Sequence, residues 1–381
     1  LLANTAPVAF GSIGIPVITL ANVTGLPVAE LSAMVGRLCA SISLFIPGYL
    51  LFVMVGRKRA VEVMPAIVAC GVSFAGMQFL VSNYIGAELT DIISSLTCIL
   101  VMVAVLKLWR PKTIMRLEGD TPVAAATARH ATRDILVAWL PYVLLVIYVL
   151  AWGEPDIKRA IDTWTNGLLP DMLPKNPTTL NGLNVPGLHN QIVRVPPVTA
   201  SPAPYAAVFT LNWLSASGTA CLLATLTAAL LLRLRPAQVV KAYTSTFRQL
   251  SLAMVTIASM LGLAYLMNYS GMTSTLGLAL ASTGGAFPFF SAVVGWMGVF
   301  LTGSDTSANA LFGNLQVVTA NALQLNPILT ASVNSAAGVM GKMISVQSIA
   351  VAVAATGMTS DDEARLFRFT IKHSVLLMAV M

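Results

Sequence analysis

Apolar stretches recur along the chain at about 1–22, 31–55, 63–82, 89–109, 135–152, 206–232, 249–268, 285–302, 308–325, 327–356 and 366–381, with short polar segments between them. Lengths near 20 residues match helices that cross a hydrocarbon core, whereas barrel strands are about half as long and alternate in polarity. The pattern predicts about eight to ten helical membrane elements. Two stretches are interrupted. Segment 1–22 carries Pro7, Gly11, Gly14 and Pro16, and segment 327–356 carries Asn334, Gly338, Gly341 and Lys342 midway, so both predict broken helices.

Between 285–302 and 308–325 runs the polar sequence Thr302-Gly303-Ser304-Asp305-Thr306-Ser307. A polar turn is better placed in a protein cavity than against lipid, which predicts a re-entrant hairpin over two full spans. Basic residues then orient the chain. Arg57, Lys58 and Arg59, the group Lys107, Arg110, Lys112 and Arg116, the group Arg233, Arg235, Lys241 and Arg248, and the trio Arg365, Arg368 and Lys372 mark cytoplasmic ends. The parity of crossings between Arg248 and Arg365 closes with the hairpin as with two spans. Segment 153–205 balances Glu154, Asp156, Asp162 and Asp171 against Lys158, Arg159, Lys175 and Arg194. Without a basic excess it is placed outside, and its Pro, Asn and Gly content predicts an irregular loop. Residues 110–134 read as a cytoplasmic linker, with a short amphipathic helix within 117–133.

Composition agrees. Of 381 residues, 56% are hydrophobic and 10% charged, against roughly 25% charged in soluble domains, and the mean hydropathy is +0.80. So few charges cannot solvate a globular surface, and the fold class is an all-α polytopic membrane protein. The net charge of +7 lies in short clusters rather than a basic stripe, which argues against nucleic acid. The four cysteines, Cys39, Cys70, Cys98 and Cys221, sit in apolar segments without C-x-x-C spacing, and His130, His189 and His373 are far apart, so neither a metal site nor a cofactor is expected. Opening on Leu1-Leu2-Ala3-Asn4 and stopping within an apolar run, the chain reads as a fragment.

Asp305 is the carboxylate set most deeply in an apolar context. An ionisable group there is costly enough to suggest function, and a carboxyl that takes up and releases a proton fits; the bland alternative is a helix N-cap. With Asp305 at a helix start, Asn309 follows one turn on, and Ser304, Thr306, Ser307 and Asn309 would surround a small carboxylate held at the helix N-terminus. Lys342 lies mid-span and requires a partner, either Asp305 or the carboxylate of a substrate. Asn4, Thr5 and Ser12 in the first broken helix, and Ser345, Gln347 and Ser348 in the last, supply further polar groups, with interhelical packing as the alternative role. Arg37 lies about 10 Å into its span and either snorkels or attracts an anion. A faint echo between 4–11 and 305–313 fits the paired broken elements of inverted-repeat transporters.

These segments carry a resemblance. Asn4-Thr5-Ala6-Pro7-Val8-Ala9-Phe10-Gly11 with Gly14-Ile15-Pro16, Asp91-Ile92-Ile93-Ser94-Ser95-Leu96, and Asn268-Tyr269-Ser270-Gly271 belong to it. So do Gly298 through Ser307, Asn309-Ala310-Leu311-Phe312, Gly341-Lys342-Met343-Ile344-Ser345 and Phe367-Arg368-Phe369-Thr370. Together they resemble the bacterial L-lactate permease family, the lactate and glycolate permeases, over essentially the whole chain. The resemblance implies further N-terminal spans with a Gly-rich acidic segment, and Val346 departs from it by standing where proline is common.

The resemblance implies proton symport of L-lactate, D-lactate and glycolate across the bacterial inner membrane, with no enzymatic activity. It also implies an elevator-type architecture of the broader ion-transporter superfamily, often dimeric. On that scheme 1–30 is the broken helix of a first repeat in the transport domain, and 269–356 holds the hairpin and broken helix of the second. Helices in 31–152 and 206–268, the external loop 153–205 and a terminal helix in 357–381 complete the chain. A substrate carboxylate is then expected between Lys342 and the helix dipoles near Asp305, its hydroxyl on Asn or Ser side chains, with Asp305 as the proton-coupling acid. Substrate contacts are expected from Asn4, Thr5, Ser304, Thr306, Ser307, Asn309, Lys342, Ser345 and Gln347. Another small carboxylate with a different coupling ion and a passive anion channel remain as rivals. An intramembrane aspartyl protease lacks a second mid-membrane acid.

Overall fold

The computed structural model describes residues 1–111, 131–170, 173–196, 198–199, 201–356, 358 and 361–381. Most of the 110–134 linker, with the helix expected in 117–133, lies outside the described residues, as does the Ser12 side chain. In chain order the helices are α1 (Gly11–Thr24), α2 (Val28–Glu62), α3 (Met64–Tyr84), α4 (Thr90–Leu108), α5 (Thr132–Gly153), α6 (Pro155–Leu168), α7 (Ser217–Leu231), α8 (Pro236–Tyr269), α9 (Met272–Ala281), α10 (Phe287–Thr302), α11 (Asp305–Ala322), α12 (Pro327–Lys342), α13 (Val346–Thr356) and α14 (Asp361–Val380).

Among the described residues six stretches are long and apolar enough to cross a membrane: Val28–Glu62, Met64–Tyr84, Thr90–Leu108, Arg133–Gly153, Gly284–Thr302 and Pro327–Val353. With shorter apolar helices between them, the protein is an all-α, multi-pass membrane protein. Apolar side chains such as Leu100, Leu136 and Leu230 face outward, as they must where the solvent is lipid. The helix α2 outruns its apolar stretch only past Gly56, whose φ of 77° marks a kink just before the basic run at 57–59. Helix α8 has 34 residues and begins well before 249, because Pro236 opens it and the Gln238 side chain accepts the Arg235 N–H at 2.9 Å. At 1.5 Å per residue it is about 50 Å long, more than a hydrocarbon core requires.

Segment 153–205 is irregular over much of its length, as expected, but it also holds a helix and short strands. Pro155 starts α6, whose Ile157, Ile161 and Trp164 recur at helical spacing. Two antiparallel strand pairs follow, β1 (Gly182–Asn184) with β4 (Val208–Thr210) and β2 (Val193–Arg194) with β3 (Ala203–Pro204). Buried Asn181 ties the strands to α6 by donating to the Asp162 and Thr165 side chains, and Ser215 donates to Asp162 at 2.5 Å. The Arg194 guanidinium lies 4.2 Å from the Tyr205 ring centroid, a cation–π contact, and burial pushes that phenol up from its ordinary pKa.

The centre of the protein is the hairpin α10–α11 packed on α12. Glycines allow this closeness: a Cβ on Gly295 would sit 2.1 Å from the Asn334 carbonyl oxygen, and one on Gly341 2.2 Å from that of Trp296. Phe10, Val17 and Leu20 of the N-terminal segment, Leu31, Val35 and Ile42 of α2, and Met340, Met343 and Ile344 at the end of α12 form one buried cluster against this centre. Helix α14 closes it from outside, where the Trp296 indole donates to Ser374 Oγ at 2.8 Å and Ser374 donates to the Met340 carbonyl at 2.6 Å.

Candidate functional site

Three interruptions of the backbone meet here. In the first segment, short 3₁₀ turns at Ala3–Thr5 and Val8–Phe10 precede α1, and Ile13 and Gly14 take φ of 63° and 69°. A β-branched residue in the left-handed region is a strained feature. Gly14 also allows a close approach, since a Cβ there would come within 2.8 Å of Ala87. The second interruption is the turn between α10 and α11, where Gly303 ends α10 at φ 68° and its N–H donates to the Val299 carbonyl at 2.8 Å. The third is 343–345, between α12 and α13.

Around these breaks lies a cavity of about 220 Å³, walled by Asn4, Pro7, Val8, Gly11 and Pro16, by Ser304, Asp305 and Thr306, and by Lys342. Ser304, in extended conformation, is the N-cap of α11, its hydroxyl accepting the Ser307 N–H at 3.3 Å. The capping role considered for Asp305 therefore falls to Ser304, and the Asp305 carboxyl is left for other work. It is 3% exposed, and its Oδ2 accepts from Ser335 Oγ at 2.8 Å, while Oδ1 is buried without a hydrogen-bond partner among the described residues. Lys342 Nζ donates to the Gly303 carbonyl. That oxygen closes α10, at the negative end of its dipole, so the lysine has a hydrogen-bond partner beyond the two expected from sequence, while Asp305 lies within its electrostatic reach. The cavity thus presents an ammonium, a carboxyl and the positive end of α11 to one small volume.

The cavity wall is backed by a buried polar network. Asn309 Nδ2 donates to the Pro16 carbonyl at 3.1 Å and to Ser335 Oγ at 2.9 Å, and Asn309 Oδ1 accepts from Asn334 Nδ2 at 3.0 Å. Gln316 Nε2 donates to Asn334 Oδ1 at 3.0 Å. These side chains are fully buried, so the network fixes how α11, α12 and the first broken segment meet.

The residues singled out from sequence divide accordingly. Asn4, Ser304, Asp305, Thr306 and Lys342 line the cavity together. Asn309 sits behind it, Ser307 contributes its backbone N–H to the cap, and Thr5 is buried with its hydroxyl unpaired among the described residues. Ser345 starts α13, its hydroxyl accepting the Ser348 N–H at 3.2 Å, and Gln347 is exposed beside Gly303. Arg37 is exposed and donates to Asn83 Oδ1 at 2.9 Å. Sequence reasoning missed Ser335 as the partner of the acid, and Asn334 and Gln316 as members of the network behind it. Ser335 lies seven residues before Lys342, two helical turns along one face, and that spacing was the available signal. Among the described residues no group of three His, Cys, Asp or Glu side chains could hold a metal ion.

A sequence profile described as L-lactate permease matches residues 1–381. The chain is 44% identical to an L-lactate permease of Bacillus subtilis (strain 168), over all of this chain and 69% of the relative. It is 41% identical to an L-lactate permease of Escherichia coli (strain K12), over all of this chain and 68% of the relative. Glycolate permease GlcA of the same strain is 39% identical, again over all of this chain and 68% of the relative. No solved structure matches. With a profile that spans every residue, relatives aligned end to end on this chain, and a multi-pass helical fold, the chain belongs to the L-lactate permease family.

Proposed function

We propose that the protein carries a small 2-hydroxy monocarboxylate across the bacterial inner membrane together with a proton, taking L-lactate, D-lactate and glycolate. The observation that carries this reading is the convergence of Asp305, Lys342 and the N-terminus of α11 on one small cavity, closed on its other side by the first broken segment. Relatives named for L-lactate and glycolate support the substrate class. One ammonium and one helix terminus suit a single carboxylate, whereas a dicarboxylate would call for a second cation.

The roles follow from the chemistry. The substrate carboxylate takes the Lys342 ammonium from the Gly303 carbonyl and sits against the first amides of α11. The 2-hydroxyl bonds to Asn4, Ser304 or Thr306. Asp305 accepts the proton, so that substrate and proton enter as a neutral pair and the cost of carrying charge through the bilayer is avoided. Segments 1–30 and 269–356 form the moving transport unit, helices in 31–152 and 206–268 its scaffold, and the motion is elevator-like within a homodimer.

The test is uptake of labelled L-lactate by the full-length protein in proteoliposomes under an inward proton gradient and without sodium. Accumulation above equilibrium that a protonophore abolishes is expected. Uptake that only equilibrates would instead mean an uncoupled carrier or, if counterflow is also absent, a passive channel, and accumulation that needs sodium would replace the coupling ion.

A further inference from the structure

Resting on the reading of Asp305 as the coupling acid, we infer that its proton is carried on Oδ1, because a one-way chain of hydrogen bonds holds Oδ2 as an acceptor. Ser335 and Asn309 are then positioning residues for proton transfer, a role distinct from substrate contact.

The direction of the chain is fixed at both ends by backbone carbonyls, which can only accept. At one end Gln316 Nε2 lies 3.3 Å from the Ser291 carbonyl oxygen and 3.0 Å from Asn334 Oδ1. This turns Asn334 Nδ2 toward Asn309 Oδ1, at 3.0 Å. At the other end Asn309 Nδ2 lies 3.1 Å from the Pro16 carbonyl oxygen and 2.9 Å from Ser335 Oγ. Both amide hydrogens of Asn309 are thereby used. Flipping that amide would set its oxygen against the Pro16 oxygen and its nitrogen against the Asn334 nitrogen, so the two ends demand the same orientation. With an N–H aimed at its oxygen, Ser335 directs its own hydrogen to Asp305 Oδ2, 2.8 Å away.

A proton on Oδ2 would confront that hydrogen. Oδ1 is buried and has no partner among the described residues. It lies over Gly338, where a Cβ would come within 2.8 Å, so glycine leaves the space the acid occupies. An unpartnered ionised oxygen costs more in such a place than a neutral hydroxyl, which makes Oδ1 the atom that gains from a proton. Lys342 shares the cavity, and the Cys39 thiol of α2 lies within electrostatic reach of the acid. Because Pro16 is itself a cavity wall, the chain also ties the orientation of the acid to the first broken segment.

Infrared difference spectra of the reconstituted full-length protein test this through the C=O stretch of the protonated acid. A band lost in Asp305→Asn is expected. In Ser335→Ala it should persist but move to higher wavenumber, because C=Oδ2 has lost its donor, and Ser335→Thr should restore it. Ser335→Cys, a weaker donor of similar size, should move it part of the way and serves where the alanine variant does not fold. An Asp305-dependent band that stays in place in Ser335→Ala and Ser335→Cys would overturn the assignment of Oδ2 while leaving Asp305 as the acid. No Asp305-dependent band at any pH would overturn the coupling role and this inference with it.

Discussion

Two spans of this protein invert the rule learned from soluble domains. The stretch Arg133–Gly153 is the more apolar and faces outward along nearly all of its length, whereas Pro327–Val353 is less apolar and mostly buried. The more polar span lies inside. In water the apolar residues go inward; in lipid, which is as apolar as leucine, burial is decided by packing and hydrogen bonds instead. Helix α12 gains a central place through Gly295 of α10 and its own Gly341, and through Asn334 and Ser335, which donate to Asn309 and Asp305 of α11. Helix α5 is attached near its C-terminal end, where Tyr148 pairs with Thr227 and the Trp152 indole donates to the Leu214 carbonyl, each at 2.8 Å, while leucines and valines such as Leu136 and Val143 face outward.

The contrast can be broken at its polar end first. Lys342→Gln removes the charge but keeps length and a donor; charge-assisted hydrogen bonds are worth about 1.5–3 kcal/mol, so the substrate concentration for half-maximal uptake should rise roughly 10- to 100-fold. Concentration dependence of labelled lactate uptake checks this, and an unchanged value would remove Lys342 from the substrate site.

Packing comes next. Gly295→Ala drives a methyl to 2.1 Å from the Asn334 carbonyl oxygen, a backbone atom that cannot swing aside. Overpacking of this kind costs about 1–3 kcal/mol, and thermal unfolding of the purified variant in detergent should shift down by several degrees. The smallest effect belongs at the lipid face. Leu100→Ala, on a side chain 70% exposed, should change stability by no more than about 0.5 kcal/mol and leave uptake unaltered. A large loss there would mean that α4 meets protein, such as a second copy of the chain, rather than lipid.

Much of this was legible in the sequence for a definite reason. Polar groups inside apolar runs are expensive, so Asp305, Lys342 and the turn around Gly303 announce themselves without any structure. Prolines and glycines similarly mark the interruptions at 13–16 and 343–345. Sequence does not say which way a polar side chain points. Asn309 and Asn4 look equally able to meet a ligand, yet Asn309 spends its amide on Pro16 and Ser335 while Asn4 borders the cavity. Ser345 similarly serves the start of α13. Segment 153–205 was legible only in part, because Pro, Asn and Gly suggested a loop, while Pro155 is also an ordinary first residue of a helix and Asn181 an anchor for the strands that follow.

The most direct test of the central claim compares two assays on one variant. Asp305→Asn keeps size and neutral hydrogen bonding but holds no exchangeable charge. Counterflow, in which labelled lactate exchanges for unlabelled lactate across the proteoliposome membrane, should continue, while accumulation driven by an imposed proton gradient should fall to the equilibrium level. Gradient-driven accumulation at the wild-type level in that variant would contradict the account, because the proton would then be carried by another group.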